Sequence, residues 1–292
     1  MTNFFLPLLG LVGIASAFVP TNVVPRPLSM ESGTRLRMFN FGGSGGGASV
    51  PKNASDRDNK AIAAIRSTIA SPRTPGFPLI EVEFPPLEAL NKLGDGSLRS
   101  ANQAEEANLA FAVKLAKSLS PVPFMGPDAI ILTSSSASNA FLKAASKKAG
   151  GAATVLALRD GMPDDTAVTG DAVCILVTPS SAADYRAAEA LATSGKTCVL
   201  VNGFAKDAKS VCAKATMAYF FKPLTYNSQV AGYLIRSYPS PWTTIDAATN
   251  QVLETADDNQ ILVRNTNTPD LRNSVKLVQK SFDERAIQAR RG

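Results

Sequence analysis

Ala172-Val173-Cys174-Ile175-Leu176-Val177, then the loop Thr178-Pro179-Ser180-Ser181, a helix-patterned stretch from Ala182 to Thr193, and Thr197-Cys198-Val199-Leu200-Val201 form the passage on which the fold turns. Apolar runs this continuous predict strands buried on both faces, as in parallel sheets covered by helices. The same alternation precedes them. Ala129 to Leu132 reads as a strand, Ala137 to Lys148 as a helix, and Thr154 to Leu158 as another strand. The sequence therefore predicts an α/β fold, with a Rossmann-like, mostly parallel sheet and helices on both faces.

Toward the N-terminus, Leu79 to Phe84 sets Ile80, Val82 and Phe84 against Glu81 and Glu83, the alternation of a half-buried strand stopped by Pro85-Pro86. Residues 57–70 place Ile62, Ile65 and Ile69 on one helical face. Gln103 to Leu119 carries the stripe Leu109, Ala112, Val113, Ala116 and Leu119, with Glu105, Glu106, Lys114 and Lys117 outside it. Toward the C-terminus, Ala218 to Phe221, Trp242 to Ile245, Gln251 to Thr255 and Gln260 to Arg264 read as short strands of an antiparallel meander. Pro269 opens a terminal helix with Leu271, Val275, Val278, Phe282 and Ala286 on one face and mostly basic residues elsewhere.

The first 38 residues read as an address. Phe4 to Ile14 is an apolar run followed by Ala15-Ser16-Ala17, the small-x-small pattern of a signal-peptidase site. Ala15-Ser16-Ala17-Phe18-Val19-Pro20 resembles the cleavage motif of bipartite plastid leaders in algae with secondary plastids. Thr21 to Met38, with Arg26, Arg35, Arg37, several hydroxyls and one acid, has transit-peptide composition. The expected organisation is a signal peptide over 1–17, a transit segment over 18–38 processed near Arg37 or Met38, and a Gly-rich linker over 39–56. A single α/β domain follows over 57–263, then a basic amphipathic helix over 264–292. The expected destination is the plastid interior, stromal or thylakoid-associated.

Composition narrows the chemistry. The 292 residues contain no histidine, which excludes imidazole-dependent triads, general bases and metal sites. Three cysteines, Cys174, Cys198 and Cys212, make neither a disulfide framework nor a four-Cys metal centre. The formal charge of +6 divides into +2 in residues 1–38, zero in 39–263 and +4 in 264–292. The domain body is thus neutral and gives no compositional case for nucleic-acid binding. The basic terminal helix offers a peripheral membrane contact. No metal or cofactor is called for.

Candidate residues lie in the loops that leave the carboxyl ends of the predicted parallel strands, where open α/β sheets bind ligands. Ser134, Ser136, Asp160, Ser180 and Asn202 are the candidates for a ligand such as phosphate, held by hydroxyls and free helix amides. The plainer alternative is that Ser136 and Ser180 or Ser181 cap the helices that follow. Asp164 and Asp165 join Asp160 in a loop whose paired carboxylates could hold Mg²⁺ or act as acid and base, but Gly161 and Pro163 favour a solvated polar turn. Gly195-Lys196-Thr197 precedes a strand, the reverse of a phosphate loop. Cys174 and Cys198 read as small buried hydrophobes, and Cys212, among lysines, as a candidate redox thiol. Tyr238, Pro239, Pro241 and Trp242 are the candidate protein-interface residues.

Cys198-Val199-Leu200-Val201-Asn202, Ala218-Tyr219-Phe220-Phe221-Lys222-Pro223-Leu224 and Leu234-Ile235-Arg236-Ser237-Tyr238-Pro239-Ser240-Pro241-Trp242 together resemble a plastid domain of unknown function. That domain occurs in low photosystem II accumulation proteins and is fused to some chloroplast adenylate kinases. Val82-Glu83-Phe84-Pro85-Pro86-Leu87 and Val177-Thr178-Pro179-Ser180 are similar to its first strand and central strand end, so the resemblance covers residues 77–263. It implies a stromal or thylakoid-associated protein and, for the best-known members, help in assembling a photosystem II subunit, with no established active site. Thr133-Ser134-Ser135-Ser136 departs from the more acidic or aromatic run expected there. The leading expectation is a non-enzymatic factor that contacts photosystem or thylakoid proteins. The alternative is a binder of a small or phosphorylated ligand, or an enzyme acting on one through the strand-end hydroxyls and Asp160.

Overall fold

The fold is that of a computed structural model, which describes residues 49–85, 98–119, 128–160, 172–203 and 212–291. One nine-stranded sheet runs through it. Its strands are β1 (Leu79–Glu83), β2 (Ala129–Thr133), β3 (Thr154–Ala157), β4 (Val173–Val177), β5 (Thr197–Val201), β6 (Thr216–Tyr226), β7 (Gln229–Ser237), β8 (Trp242–Asp246) and β9 (Val252–Ala256). The spatial order is β3-β2-β4-β5-β1-β6-β7-β8-β9. Every pairing from β3 to β6 is parallel. Those from β6 to β9 are antiparallel. The expected α/β architecture, parallel core and C-terminal meander are therefore present.

The helices are α1 (Ala54–Ala70), α2 (Leu98–Leu119), α3 (Asn139–Ala149), α4 (Ala182–Thr193), α5 (Asp258–Ile261) and α6 (Arg272–Arg291). Side chains alternate across the strands and so build two cores. Ile80, Val82, Ile131, Ile175, Val177, Val199 and Val201 pack against α1, α2 and α3 on one face. Leu79, Ile130, Leu132, Cys174, Leu176, Cys198 and Leu200 meet Tyr185, Ala188, Leu191 and Ala192 of α4 on the other. Each fully buried Leu or Ile contributes about 1.5–3 kcal/mol. The predicted face of the first helix is the one used, with Ile62 and Ile65 buried and Ile69 packed at the margin. Asn53 caps α1, accepting the Asp56 N–H at 2.9 Å, so the helix starts three residues ahead of its predicted start.

The meander differs from its prediction in two places. Gln260 to Arg264 does not form a strand. Gln260 Oε1 accepts the Asp257 N–H at 2.8 Å, and this bond opens the short helix α5. A strand absent from the prediction, β7, lies between β6 and β8, and Asn227 and Ser228 connect it to β6 with positive φ at both residues, the geometry of a two-residue hairpin turn. Pro223 is tolerated inside β6 because β1 pairs only as far as Phe220, so its missing N–H faces no neighbouring strand.

The terminal helix α6 packs its predicted stripe on the meander, with Val278 fully buried and Leu271, Val275 and Phe282 beside it. Arg272, Lys276, Lys280 and Arg290 remain outside, as does Ile287. A polar seam joins the two halves of the sheet. The Asp258 carboxylate meets Arg73 at 3.0 Å and Arg236 at 3.2 Å and accepts the Trp242 Nε1–H at 2.7 Å. Nearby, buried Glu81 of β1 accepts from Asn267 Nδ2 at 2.7 Å. No helix among the described residues is long and apolar enough to cross a membrane.

Candidate functional site

The chain leaves β2 through α3 to β3 on one side, and β4 then pairs with the other edge of β2. Because α3 lies on one face and α4 on the other, the carboxyl ends of β2 and β4 form a topological switch point, the place where open parallel sheets hold ligands. The two loops there are Ser134 to Ser138 and Thr178 to Ser181.

Three of the predicted ligand residues meet at this point. Ser134 Oγ lies 2.6 Å from Ser180 Oγ and 3.0 Å from Ser136 Oγ, and Ser136 and Ser180 are 2.7 Å apart. Beneath them lies Asp184, from the first turn of α4, only 1 % exposed. Its carboxylate accepts the Ser134 hydroxyl at 2.7 Å and the N–H groups of Ser135 at 3.0 Å, Ser180 at 2.9 Å and Ser181 at 3.1 Å. Burial acts to raise this carboxyl, but the N–H groups of Ser135 and Ser180 and the serine hydroxyls outweigh it and hold the group below the usual carboxylate range.

Counting protons fixes the direction at Ser134. Ser134 spends its one hydroxyl proton on Asp184, so it can only accept from its other neighbours. Its lone pairs take the Ser136 N–H at 3.2 Å and a hydroxyl proton from Ser180 or Ser136. The Ser136 and Ser180 hydroxyls are 2.7 Å apart and either can donate, and Ser180 Oγ also lies 3.5 Å from the Asp184 carboxylate. Ser136 is exposed and keeps a hydroxyl that can donate outward, but the N–H groups of Ser135, Ser180 and Ser181 are already taken by the Asp184 carboxylate.

Neither Ser136 nor Ser180 is the helix cap. Ser138 caps α3, accepting the Phe141 N–H at 3.1 Å, and Ser181 caps α4 in a reciprocal capping box with Asp184. Asn202 lies apart from the serines. It is buried, its Oδ1 accepts the Phe84 N–H at 2.8 Å, and its Nδ2 donates to Asn108 Oδ1 at 2.7 Å. Asn108 Nδ2 donates to Thr178 Oγ1 at 3.0 Å. This buried network holds Thr178 and Asn202 in the left-handed region, with φ of 51° and 48°. For β-branched Thr178 that is a costly conformation, about 1–3 kcal/mol, paid at the end of β4 beside the serines. Asp160 ends a 3-10 turn, Leu158–Asp160, after β3. Its side chain, with Asp164 and Asp165, lies outside the described residues.

The predicted interface residues sit at the opposite end of the sheet, because β7 runs against β6 and finishes beside its first residues. Trp242 is 0 % exposed, packs on Phe220 at a ring separation of 5.2 Å, and has no surface to offer a partner, so its role is in the core. Arg236 lies over both the Tyr238 ring, at 5.4 Å, and the Trp242 ring, at 5.6 Å. Pro239 and Pro241 are exposed and Tyr238 half-buried. Cys174 and Cys198 stand opposite each other in register, both buried and unbridged, and burial pushes the Cys174 thiol up to about 11. Half-buried Cys212 is also pushed up by burial, away from the reactive thiolate range. Among the described residues no group of three or more Cys, Asp or Glu is placed to hold a metal.

Sequence reasoning missed Asp184, Asn108 and Thr178. The spacing Ser181-x-x-Asp184 was the available signal for the first, since it is a capping-box pattern at a strand end. Comparison with protein families matches residues 51–271 to the family model "Domain of unknown function (DUF1995)", and α6 begins just beyond that match. No curated protein and no solved structure matches the chain.

Proposed function

The chain belongs to the DUF1995 family, and on that premise we propose that it is a plastid protein that works by contact, without turnover, in assembling or maintaining the photosynthetic apparatus, of photosystem II type. The observation that carries the reading is the Asp184 carboxylate. It occupies the amide-lined seat at the switch point where an anionic ligand would bind, taking the N–H groups of Ser135, Ser180 and Ser181 and the Ser134 hydroxyl. The bipartite leader composition and the motifs shared with plastid assembly proteins support the destination and the kind of partner.

The competing reading, a phosphate-ligand binder or enzyme using Ser134, Ser136, Ser180 and Asp160, needs that seat open. Thermal unfolding with nucleotides and sugar phosphates separates the two. No stabilisation is expected, whereas a true ligand at 100 times its Kd would add about 2.7 kcal/mol. Affinity purification from plastids is expected to recover thylakoid or photosystem components, and a knock-out to lower photosystem levels. A preparation without such components together with unchanged photosystem levels overturns the reading. A reporter fused to residues 1–40 should enter the plastid, and its secretion or cytosolic retention would refute the destination.

A further inference from the structure

A groove of about 520 Å³ runs between α2 and α3. Ala140, Phe141 and Ala144 form its apolar surface over buried Leu109, Glu105 and Glu106 one wall, and Lys148 one end. The apolar side of α3 is poorly used. Of its eleven residues only Ala145 and Ala149 are buried, Phe141 packs on the core with part of its ring, and Ala140 and Ala144 are exposed. Alanines four residues apart leave a trough that a second helix can approach closely.

The α2 wall gives the groove its sign. Glu105 is half-buried, and burial alone raises its carboxyl, with no charged side chain among the described residues offsetting that cost. A desolvated carboxylate beside uncovered apolar surface is complementary to a segment that brings apolar anchors and a cation together. Lys148, whose Nζ reaches the Glu106 carbonyl at 3.4 Å, repels a second cation at its own end and so fixes the direction of approach. We propose that this groove is the docking site for a basic amphipathic helix of a partner protein, with its apolar residues on Ala140, Phe141 and Ala144 and a Lys or Arg against Glu105. The inference rests on the reading of the protein as one that acts by contact.

The test uses the full chain and two amidated helical peptides of about 18 residues, long enough for several turns. They share one leucine pattern and carry Lys in one case, Glu in the other, at the polar positions. In calorimetric titration the Lys peptide should bind, and the Glu peptide should bind at least about tenfold more weakly, since more than one charge contact changes from attraction to repulsion. Glu105→Lys should reverse the preference. Ala144→Phe fills the trough from an exposed position and should remove binding of the Lys peptide without lowering Tm. Lack of Lys-peptide binding at about 1 mM, equal affinity for the two peptides, or full binding by Ala144→Phe overturns the proposal. A groove that binds while plastid purification finds no photosynthetic partner overturns the broader reading alone, and the reverse pair of results overturns the groove alone.

Discussion

Asp184 shows how one side chain can settle what a strand-end loop is for. Its carboxylate takes three main-chain N–H groups and the hydroxyls of Ser134 and Ser180 from two separate loops, so it ties the end of β2 to the start of α4. Asp184→Asn keeps the shape but turns one oxygen into an NH₂ that must face donors, leaving buried N–H groups unpaired. The expected loss is about 1–3 kcal/mol, read as a lower urea midpoint with unchanged slope. An unchanged midpoint would show that the serines, and not the carboxylate, hold the loops. Ser134, Ser136 and Ser180 were legible beforehand because a parallel sheet sends its ligand loops from the carboxyl ends of its strands. Asp184 was hidden because the same spacing serves to cap a helix. Asn108 was hidden inside the apolar stripe of α2, and no sequence signal marks Thr178 for a positive φ.

The parallel core was readable element by element because its strands are apolar on both faces and its helices carry one clear stripe. β2, β4 and β5 lie close to their predicted bounds. The meander was less readable for a physical reason. β6 and β7 project past β1, so their outer residues, such as Lys222, Pro223, Thr225 and Gln229, are polar or strand-breaking and mask the alternation. What fixes this hairpin is its contact with α6. A Cβ on Gly232 would fall inside the van der Waals shell of Val278 Cγ1 and 2.6 Å from the Ile245 carbonyl oxygen. Gly232→Ala should therefore cost about 1–3 kcal/mol through overpacking. The double change Gly232→Ala, Val278→Ala should recover none of that loss, because the main-chain oxygen of Ile245 cannot move aside and the α6 core loses a buried side chain. Chemical denaturation of the two variants checks this, and full recovery in the double variant would place the clash on Val278 alone.

At the scale of the whole molecule, one continuous sheet carries both halves, with the early strand β1 set between β5 and β6 and the seam around Asp258 crossing the junction. Electrostatics then fixes how the stability of the fold depends on acidity. With no histidine in the chain, no imidazole titrates between about pH 5 and 8, so stability should be nearly flat there. The acid limb belongs to buried carboxylates. Asp246 is fully buried at the end of β8. Burial acts to raise it, but the Thr249 N–H, the Arg285 guanidinium and the Ser281 hydroxyl more than offset that and lower it to about 2. Asp184 and Asp258 are lowered as well, while Glu105, raised by burial, works with the opposite sign. A carboxyl depressed in the folded state adds stability above its unfolded value, near 4, and loses it as pH falls toward the folded one. For Asp246 the contribution at neutral pH is about 2 kcal/mol. Asp246→Asn should therefore unfold at lower urea at pH 7, since it loses the charged partner of Arg285 that anchors α6. The gap to wild type should narrow from about pH 4 downward and be mostly gone near pH 2, where the native aspartate is itself about half protonated. Urea midpoints for both proteins across that range test it. A gap that stays constant with pH would mean that Asp246 acts through shape and hydrogen bonding, with its charge irrelevant to docking α6.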